Sequence, residues 1–388
     1  MLIGALQLPM QEKVIYGVAA AEAMDAEVTR LGANRVFVLT TRSLANGPLV
    51  NAICDALGKR CAGVYEKISS HTPRSDVVAA MQAARAAAAD LLVAVGGGSV
   101  IDATKVIQLG LTSGVDSIQD LDAYVTGMRF PAERSASDNC YQGIRSIAVP
   151  TTLSAAEFTA FAGVTDERRG VKEVFHHEPQ IPKVVILDPA ATLSTPQSLM
   201  LSTGVRAIDH CVETFCSPGS TPLTDAYSIN AMRLLCTALP GVTAAPEDLT
   251  LRQQCQFAMW MSIQGPASGV PIGASHGIGR ILGSLFGVPH GQTSCILLPA
   301  VLRWNAVVNE ARQNEFMKRL GLPVQSLAEL VRDLVKSLGE PTTLREVGVT
   351  RTQFLELARK SFNSGFLIHN PRQITSPADV MSILEFAQ

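Results

Sequence analysis

Two patterns in this chain could do chemistry: a glycine-rich turn suited to an anion, and histidines spaced with arginines along helices. The first is Val95-Gly-Gly-Gly-Ser-Val-Ile-Asp-Ala-Thr-Lys105. Gly96, Gly97 and Gly98 carry no Cβ, so the backbone can approach a phosphate closely. A helix opening at Ser99 would aim its first N–H groups, and the positive end of its dipole, at that anion. Ser99 and Asp102 have capping-box spacing, which predicts Asp102 as a helix cap rather than a catalytic acid. The alternative is a tight strand-to-helix turn that binds nothing, since the glycines do not make the G-x-G-x-x-G fingerprint. A second piece is Val149-Pro-Thr-Thr-Leu-Ser154, where small hydroxyl residues follow a strand end, the crevice position of an open α/β sheet. Alone it reads equally well as a turn.

Three of the seven histidines make the other pattern. Ser202 to Glu213 reads as a helix with Arg206 and His210 four apart on one face. His276-Gly-Ile-Gly-Arg280 repeats that spacing, and His290 follows in Val288-Pro-His-Gly291. A single buried histidine is ordinarily a satisfied structural residue. Three together, two of them with arginine on otherwise apolar surfaces, point to a site. His176 and His177 read as surface residues of a polar loop.

The elements that must position these residues change character along the chain. Arg35–Thr40, Asp90–Val95, Ser146–Val149 and Lys183–Leu187 are short β-branched runs, and the Ala-rich stretch from Asp76 to Ala89 reads as helix. Strand, helix and strand in alternation predict parallel β-α-β units. Beyond Asp188-Pro189, amphipathic stretches at 226–238, 251–264, 310–320, 324–337 and 351–362 replace the strands. The expected architecture is an α/β domain with a parallel sheet over 1–190 and an all-α domain over 191–388. Residues 126–140 read as a loop or insertion.

Composition excludes several classes. At 388 residues, 47% hydrophobic and 17% charged, the chain is long enough for two packed domains and too apolar for disorder. A net charge of −2 gives no reason to expect nucleic acid or a membrane surface as partner. No apolar run approaches the length of a membrane span, and the N-terminal residues lack signal-peptide character, so the expected location is cytoplasmic. The eight scattered cysteines read as reduced thiols.

The ordered motifs GGGSVIDATK, VPTTLSAAE, VTDERRGVK, IPKVVILDP, TGVRAIDHCVE, SHGIGRILGSLFGVPHG and NPRQITSPADVMSIL resemble the iron-containing (group III) alcohol dehydrogenase superfamily over essentially the full length. The similarity is closest to its maleylacetate reductase-like branch. It implies a dehydroquinate synthase-like architecture, with an active site in a cleft between an N-terminal dinucleotide-binding domain and a helical C-terminal domain. It also implies NAD(P)-dependent hydride transfer between nicotinamide and a small carbonyl or alcohol substrate, and a homo-oligomer, commonly a homodimer. By the same resemblance Gly97, Gly98 and Ser99 contact the pyrophosphate. Thr151 and Thr152 lie near the diphosphate and nicotinamide ribose, and Lys172 reaches the ribose. Thr41 stands where many members carry the Asp that binds the adenosine ribose, which leaves NAD and NADP equally open.

Metal-dependent members hold Fe²⁺ or Zn²⁺ with one Asp and three His. The histidines correspond to His210, His276 and His290, but Arg206 occupies the Asp position and Arg280 that of a further histidine. A guanidinium cannot ligate a cation, and Asp209 is read as facing another side of the helix. Maleylacetate reductases also lack that Asp and work without a metal. The expectation is therefore a metal-free centre in which Arg206, with Arg280, polarises a substrate oxygen or pairs with a carboxylate, while a histidine supplies the proton. The alternatives are a three-histidine metal site serving an uncharged alcohol, a sugar-phosphate cyclase relative, and a nucleotide-binding protein without catalysis.

Overall fold

The computed structural model describes residues 6, 8–126, 142–323, 326–364 and 367–388. All of the anticipated 126–140 loop except Thr126 lies outside them. The chain folds into two units, Met1–Thr195 and Pro196–Gln388.

The strands of the first unit are β1 (Lys13–Tyr16), β2 (Val36–Leu39), β3 (Cys61–Tyr65), β4 (Leu91–Gly96), β5 (Arg145–Pro150), β6 (Phe161–Asp166), β7 (Val171–His176) and β8 (Val184–Leu187). Its longer helices are α1 (Ala20–Arg30), α3 (Pro48–Leu57), α4 (Arg74–Ala86) and α5 (Gly98–Ser113), with a single turn, α2 (Arg42–Ala45), after β2. Six strands form a parallel sheet in the order β1-β8-β5-β4-β2-β3. Alternate side chains divide between its faces. Val36, Val38, Val93, Val95, Ile147 and Ile186 pack with Met24, Val28, Ile53 and Leu57 of α1 and α3. Phe37, Leu39, Leu92 and Ala94 pack on the other side with Val77 and Met81 of α4 and Ile101 and Val106 of α5. Strands covered on both faces read as continuous apolar runs, which is why the interior four were legible in the sequence.

From β2 the chain moves outward to β3, and from β4 it moves the opposite way to β5. That reversal makes the carboxyl ends of β2 and β4 the topological switch point, where open α/β sheets bind ligands. Thr41 follows one of these ends and Gly97 the other.

An antiparallel hairpin, β6 and β7, lies outside the sheet, with Thr165 opposite Lys172. It is fastened to α5: the Gly163 N–H donates to Asp102 Oδ2 (3.0 Å), and Lys105 Nζ donates to the Ala156 and Phe161 carbonyls (2.6 Å each). The hairpin overturns the reading of His176 and His177 as surface loop residues. Neither is exposed, and His176 ends β7 with its ring 4.5 Å from that of Phe161.

The described residues of the second unit are helical, with no strand among them. Its central helix, Gln197–Cys216, is buried at every position from Met200 to Cys216. A helix covered all round must be packed closely by its neighbours. Gly291 shows how closely: a Cβ there would stand 2.5 Å from the Ser202 carbonyl carbon. Helix His290–Leu320 kinks at Asn309, whose side chain accepts from Gln313 Nε2 at 2.8 Å. Ala274, Ile278 and Leu282 of helix Ala274–Phe286 share a core with Ile296, Leu357, Val380 and Ile383. Among the described residues no helix is long and apolar enough to cross a membrane.

Candidate active site

In the first unit, the two candidate phosphate pieces meet. A Cβ on Gly97 would lie 2.9 Å from Thr152 Cγ2, and one on Gly98 would lie 3.0 Å from Ser154 Oγ, so only glycine leaves space between the turn and the Thr151–Ser154 segment. The Thr151 N–H donates to the Gly96 carbonyl at 3.0 Å, fixing that segment against β4. Thr152 Oγ1 and Ser154 Oγ are buried with no hydrogen-bond partner.

The helix start differs from its sequence reading. α5 begins at Gly98 with Gly97 as N-cap, and no side chain caps it. Asp102 turns away to the Gly163 N–H, so the expected Ser99–Asp102 capping box does not form. The correction favours anion binding, because no acid occupies the positive end of the helix. An uncapped sixteen-residue helix, a cradle a Cβ would fill and two orphaned hydroxyls fit a dinucleotide pyrophosphate. Thr41 closes the β2 end with its Oγ1 2.9 Å from Ser43 Oγ. Lys172 lies half-buried along β7, over Gly163.

In the second unit, the central helix and helix Ala274–Phe286 bring Arg206, Asp209, His210, Glu213 and His276 into one buried cluster. Arg206 Nη1 donates to Ser294 Oγ at 2.9 Å, and Ser294 Oγ in turn donates to Asp209 Oδ2 at 2.6 Å. Ser275 Oγ donates to the same Asp209 oxygen at 2.7 Å. His276 Nδ1 lies 2.7 Å from Glu213 Oε2 and 3.4 Å from Asp209 Oδ2. The His210 and His276 rings stack with centroids 4.9 Å apart. His210 Nδ1 and His276 Nε2 are buried and have no hydrogen-bond partner.

Electrostatics separate the two histidines. Burial, reinforced by His276 and Arg206, holds His210 well below the ordinary imidazole pKa, so it is neutral. Burial and Arg206 also oppose charge on His276, but Asp209 and Glu213 outweigh them and raise it. Asp209 is pushed down to about 2: burial works against its charge, while His276, Arg206 and Ser294 favour it. Arg206 is lowered by burial against the pull of Asp209 and Glu213, and a guanidinium so placed remains a cation.

The sequence offers Asp209 and Glu213 only as salt-bridge partners for Arg206, and the premise that Asp209 faces another side of the helix is overturned. Positions i+3 and i+7 lie about 60° and 20° from position i around an α-helix, the same face as Arg206 and His210. That spacing was the available signal. The expected histidine trio is also corrected. His290 opens its helix and is exposed, and His210, His276 and His290 do not form a set of ligand atoms within 4.8 Å of one another among the described residues. Arg280 is half-buried one turn beyond His276.

Asp209, Glu213 and His276 do form such a set, so the expectation that no metal binds is not supported. Asp209 Oδ1, buried with no hydrogen-bond partner, is the one unengaged carboxylate oxygen of the set. Asp209 Oδ2 and both Glu213 oxygens already accept hydrogen bonds, and Arg206 Nη1 lies 3.8 Å from Asp209 Oδ2. A divalent ion there would meet a repulsion of several kcal/mol at an effective dielectric near ~20.

Residues 11–189 match the family described as iron-containing alcohol dehydrogenase, and residues 200–388 match the Fe-containing alcohol dehydrogenase family, C-terminal. The chain belongs to the iron-containing alcohol dehydrogenase family. As an iron-containing alcohol dehydrogenase family member it is an enzyme and an oxidoreductase, and within the family it stands with the maleylacetate reductase-like branch. It is 32% identical to dehydrogenase ALT3 of Alternaria alternata, over 92% of this chain and 100% of that one. Maleylacetate reductase 2 of Cupriavidus pinatubonensis is 31% identical, over 80% of this chain and 77% of that one. The sulfoacetaldehyde reductase of Bifidobacterium kashiwanohense, solved with NAD+, shares the fold of this family member with a TM-score of 0.86 at 24% identity, across 100% of this chain and 98% of that one.

Proposed function

We propose that this enzyme interconverts a small carbonyl compound and its alcohol with NAD or NADP, using Arg206 as a fixed cation and His276 as the proton donor. The observation that carries the reading is the buried pair of functions in one cluster: a guanidinium anchored 2.9 Å from Ser294 Oγ, and an imidazole held at Nδ1 whose Nε2 has no partner.

When bound, the nicotinamide would supply or accept the hydride. The N–H groups at Gly98 and Ser99 and the hydroxyls of Thr152 and Ser154 hold the pyrophosphate, and Lys172 and Thr151 serve the ribose. With Thr41 in place of a carboxylate, a 2′-phosphate meets no repulsion, so both dinucleotides are accepted. In the second unit, Arg206 stabilises negative charge developing on the substrate oxygen, or pairs with a substrate carboxylate with Arg280 as a second cation. His276, protonated on both nitrogens, gives its Nε2 proton to the alkoxide. Neutral His210 covers the imidazolium without adding a second charge. The resemblance to maleylacetate reductase 2 supports a carboxylated ketone as substrate.

Consumption of NADH and NADPH, followed with maleylacetate, sulfoacetaldehyde, simple aldehydes and diols, tests the reading. Turnover with a carboxylated or sulfonated carbonyl is expected. Failure to bind either dinucleotide, with no turnover across the panel, would overturn it. A second reading, a metal-dependent alcohol dehydrogenase, is favoured by the Asp209–Glu213–His276 set. A stoichiometric, chelator-sensitive metal in the purified protein would select it.

A further inference from the structure

Helix Ala274–Phe286 starts inside the protein, and its N-cap, Gly273, has no side chain with which to satisfy the first N–H groups. The acceptors come from elsewhere. Glu213 Oε2 accepts from the Gly273 N–H at 2.9 Å, Glu213 Oε1 accepts from the Ser275 N–H at 2.8 Å, and Asn370 Oδ1 accepts from the Ala274 N–H at 3.2 Å. A Cβ at residue 273 would stand 2.9 Å from Glu213 Oε1, so the glycine is what lets the carboxylate reach in. The same Oε2 lies 2.7 Å from His276 Nδ1.

We infer that Glu213 is a positioning residue for the proton donor: its carboxylate clamps the start of helix Ala274–Phe286 and holds a proton on His276 Nδ1, so that Nε2 is the nitrogen presented for chemistry. This rests on the assignment of His276 under the proposed function. Three donors converge on two oxygens, and Oε2 takes two of them. Both oxygens of that side chain must therefore be acceptors, and an amide cannot satisfy the arrangement. If a glutamine kept its oxygen at the Oε1 place, its NH2 would face the Gly273 N–H and would donate to Nδ1, moving the ring proton to Nε2. If it kept its oxygen at the Oε2 place, Nδ1 would keep its proton, but the NH2 would face the Ser275 N–H and the clamp on the helix start would be lost. At metal centres, carboxylates that fix a ring tautomer through its other nitrogen are worth about 10–100-fold in affinity or activity.

The test is the His276 tautomer, read by long-range ¹H–¹⁵N correlation on ¹⁵N-histidine protein at a pH where the ring is neutral, alongside kcat and KM for wild type, Glu213→Gln and Asn370→Ala. A wild-type proton on Nδ1, moved to Nε2 in Glu213→Gln, with kcat about 10–100-fold lower and KM within about twofold, is the expected result. Asn370→Ala loosens the same helix start without touching His276; it should lower the melting temperature and leave tautomer and kcat in place. A wild-type ring protonated at Nε2 overturns the inference whether or not the variants fold. So does a Glu213→Gln enzyme whose ring keeps its proton on Nδ1 and whose kcat equals that of wild type, or an Asn370→Ala kcat as low as that of Glu213→Gln. If wild type turns over no carbonyl while the tautomer moves as expected, the proposed function falls and the positioning role stands.

Discussion

Arg206 and Asp209, three residues apart on one buried helix, face each other across 3.8 Å, and the Ser294 hydroxyl joins them by accepting from one and donating to the other. The guanidinium is thus held in place without being closed off by a contact carboxylate. A buried cation so preorganised acts on charge that develops beside it, with no reorganisation at the moment of reaction.

Replacing Arg206 should therefore cost turnover more than binding. Arg206→Ala is expected to lower kcat by about 10²–10³-fold, the usual loss when one oxyanion-stabilising donor is removed. Arg206→Lys should recover only part of it, because an ammonium lacks the planar fork that spans a hydroxyl and a substrate oxygen. Steady-state kinetics at saturating dinucleotide read both. An Arg206→Ala enzyme with unchanged kcat would remove the cation from the mechanism.

The glycine cradle predicts the opposite division. In Gly97→Ala the added methyl meets Thr152 at 2.9 Å and intrudes where the pyrophosphate would lie. Dinucleotide KM should rise at least about tenfold, roughly 1.4 kcal/mol, while kcat at saturation holds. Titration calorimetry with NADH and NADPH checks the binding directly. Unaltered affinity would show that the turn does not carry the phosphates.

Glu157 supplies a pH-dependent prediction away from the reacting groups. It is fully buried, and burial pushes its carboxyl up to about 7, with the Lys105 ammonium pulling the other way. The native state then holds this proton more tightly than the unfolded chain. Stability from the group is complete below about pH 4.5 and is lost as pH rises through about 7. The loss is about 3 kcal/mol. Glu157→Gln should be the more stable protein at pH 8, and the gap should close toward pH 5, as measured by urea unfolding across that range. A gap that ignores pH would mean the carboxyl titrates normally.

Much of this was legible in the residues, and the exceptions have physical causes. The interior strands β2, β4, β5 and β8 announced themselves because burial on both faces writes unbroken apolar runs. β1 and β3 did not, because as sheet edges they are only half-buried, and Lys13 in the one and Gly63 in the other break the apolar run. The β6–β7 hairpin was hidden in a polar stretch whose pairing depends on attachment to α5. Arg206, His210 and His276 were found from helical spacing. Asp209 and Glu213 read only as partners of Arg206, because their i+3 and i+7 positions were not followed to His276; Ser275 and Ser294 were missed because a buried hydroxyl leaves no periodic trace. His290 was grouped with them as a third histidine after an apolar helix, although it opens an exposed helix end.

Close helix packing in the second unit can be tested at Gly291. A methyl there would press within 2.5 Å of the Ser202 backbone carbon, which has no rotamer to move. Gly291→Ala should destabilise by about 1–3 kcal/mol or more, in the range for overpacking. Chemical denaturation measures it. Stability equal to wild type would mean that the helices separate more easily than their packing implies.

The claim on which the chemistry turns is that Arg206 supplies the positive charge for catalysis. Turnover after exhaustive chelation, with metal content determined on the same sample, tests it most directly. The expected result is full kcat with far less than one metal ion per chain. Activity abolished by the chelator and restored by added Fe²⁺ or Zn²⁺ would contradict it.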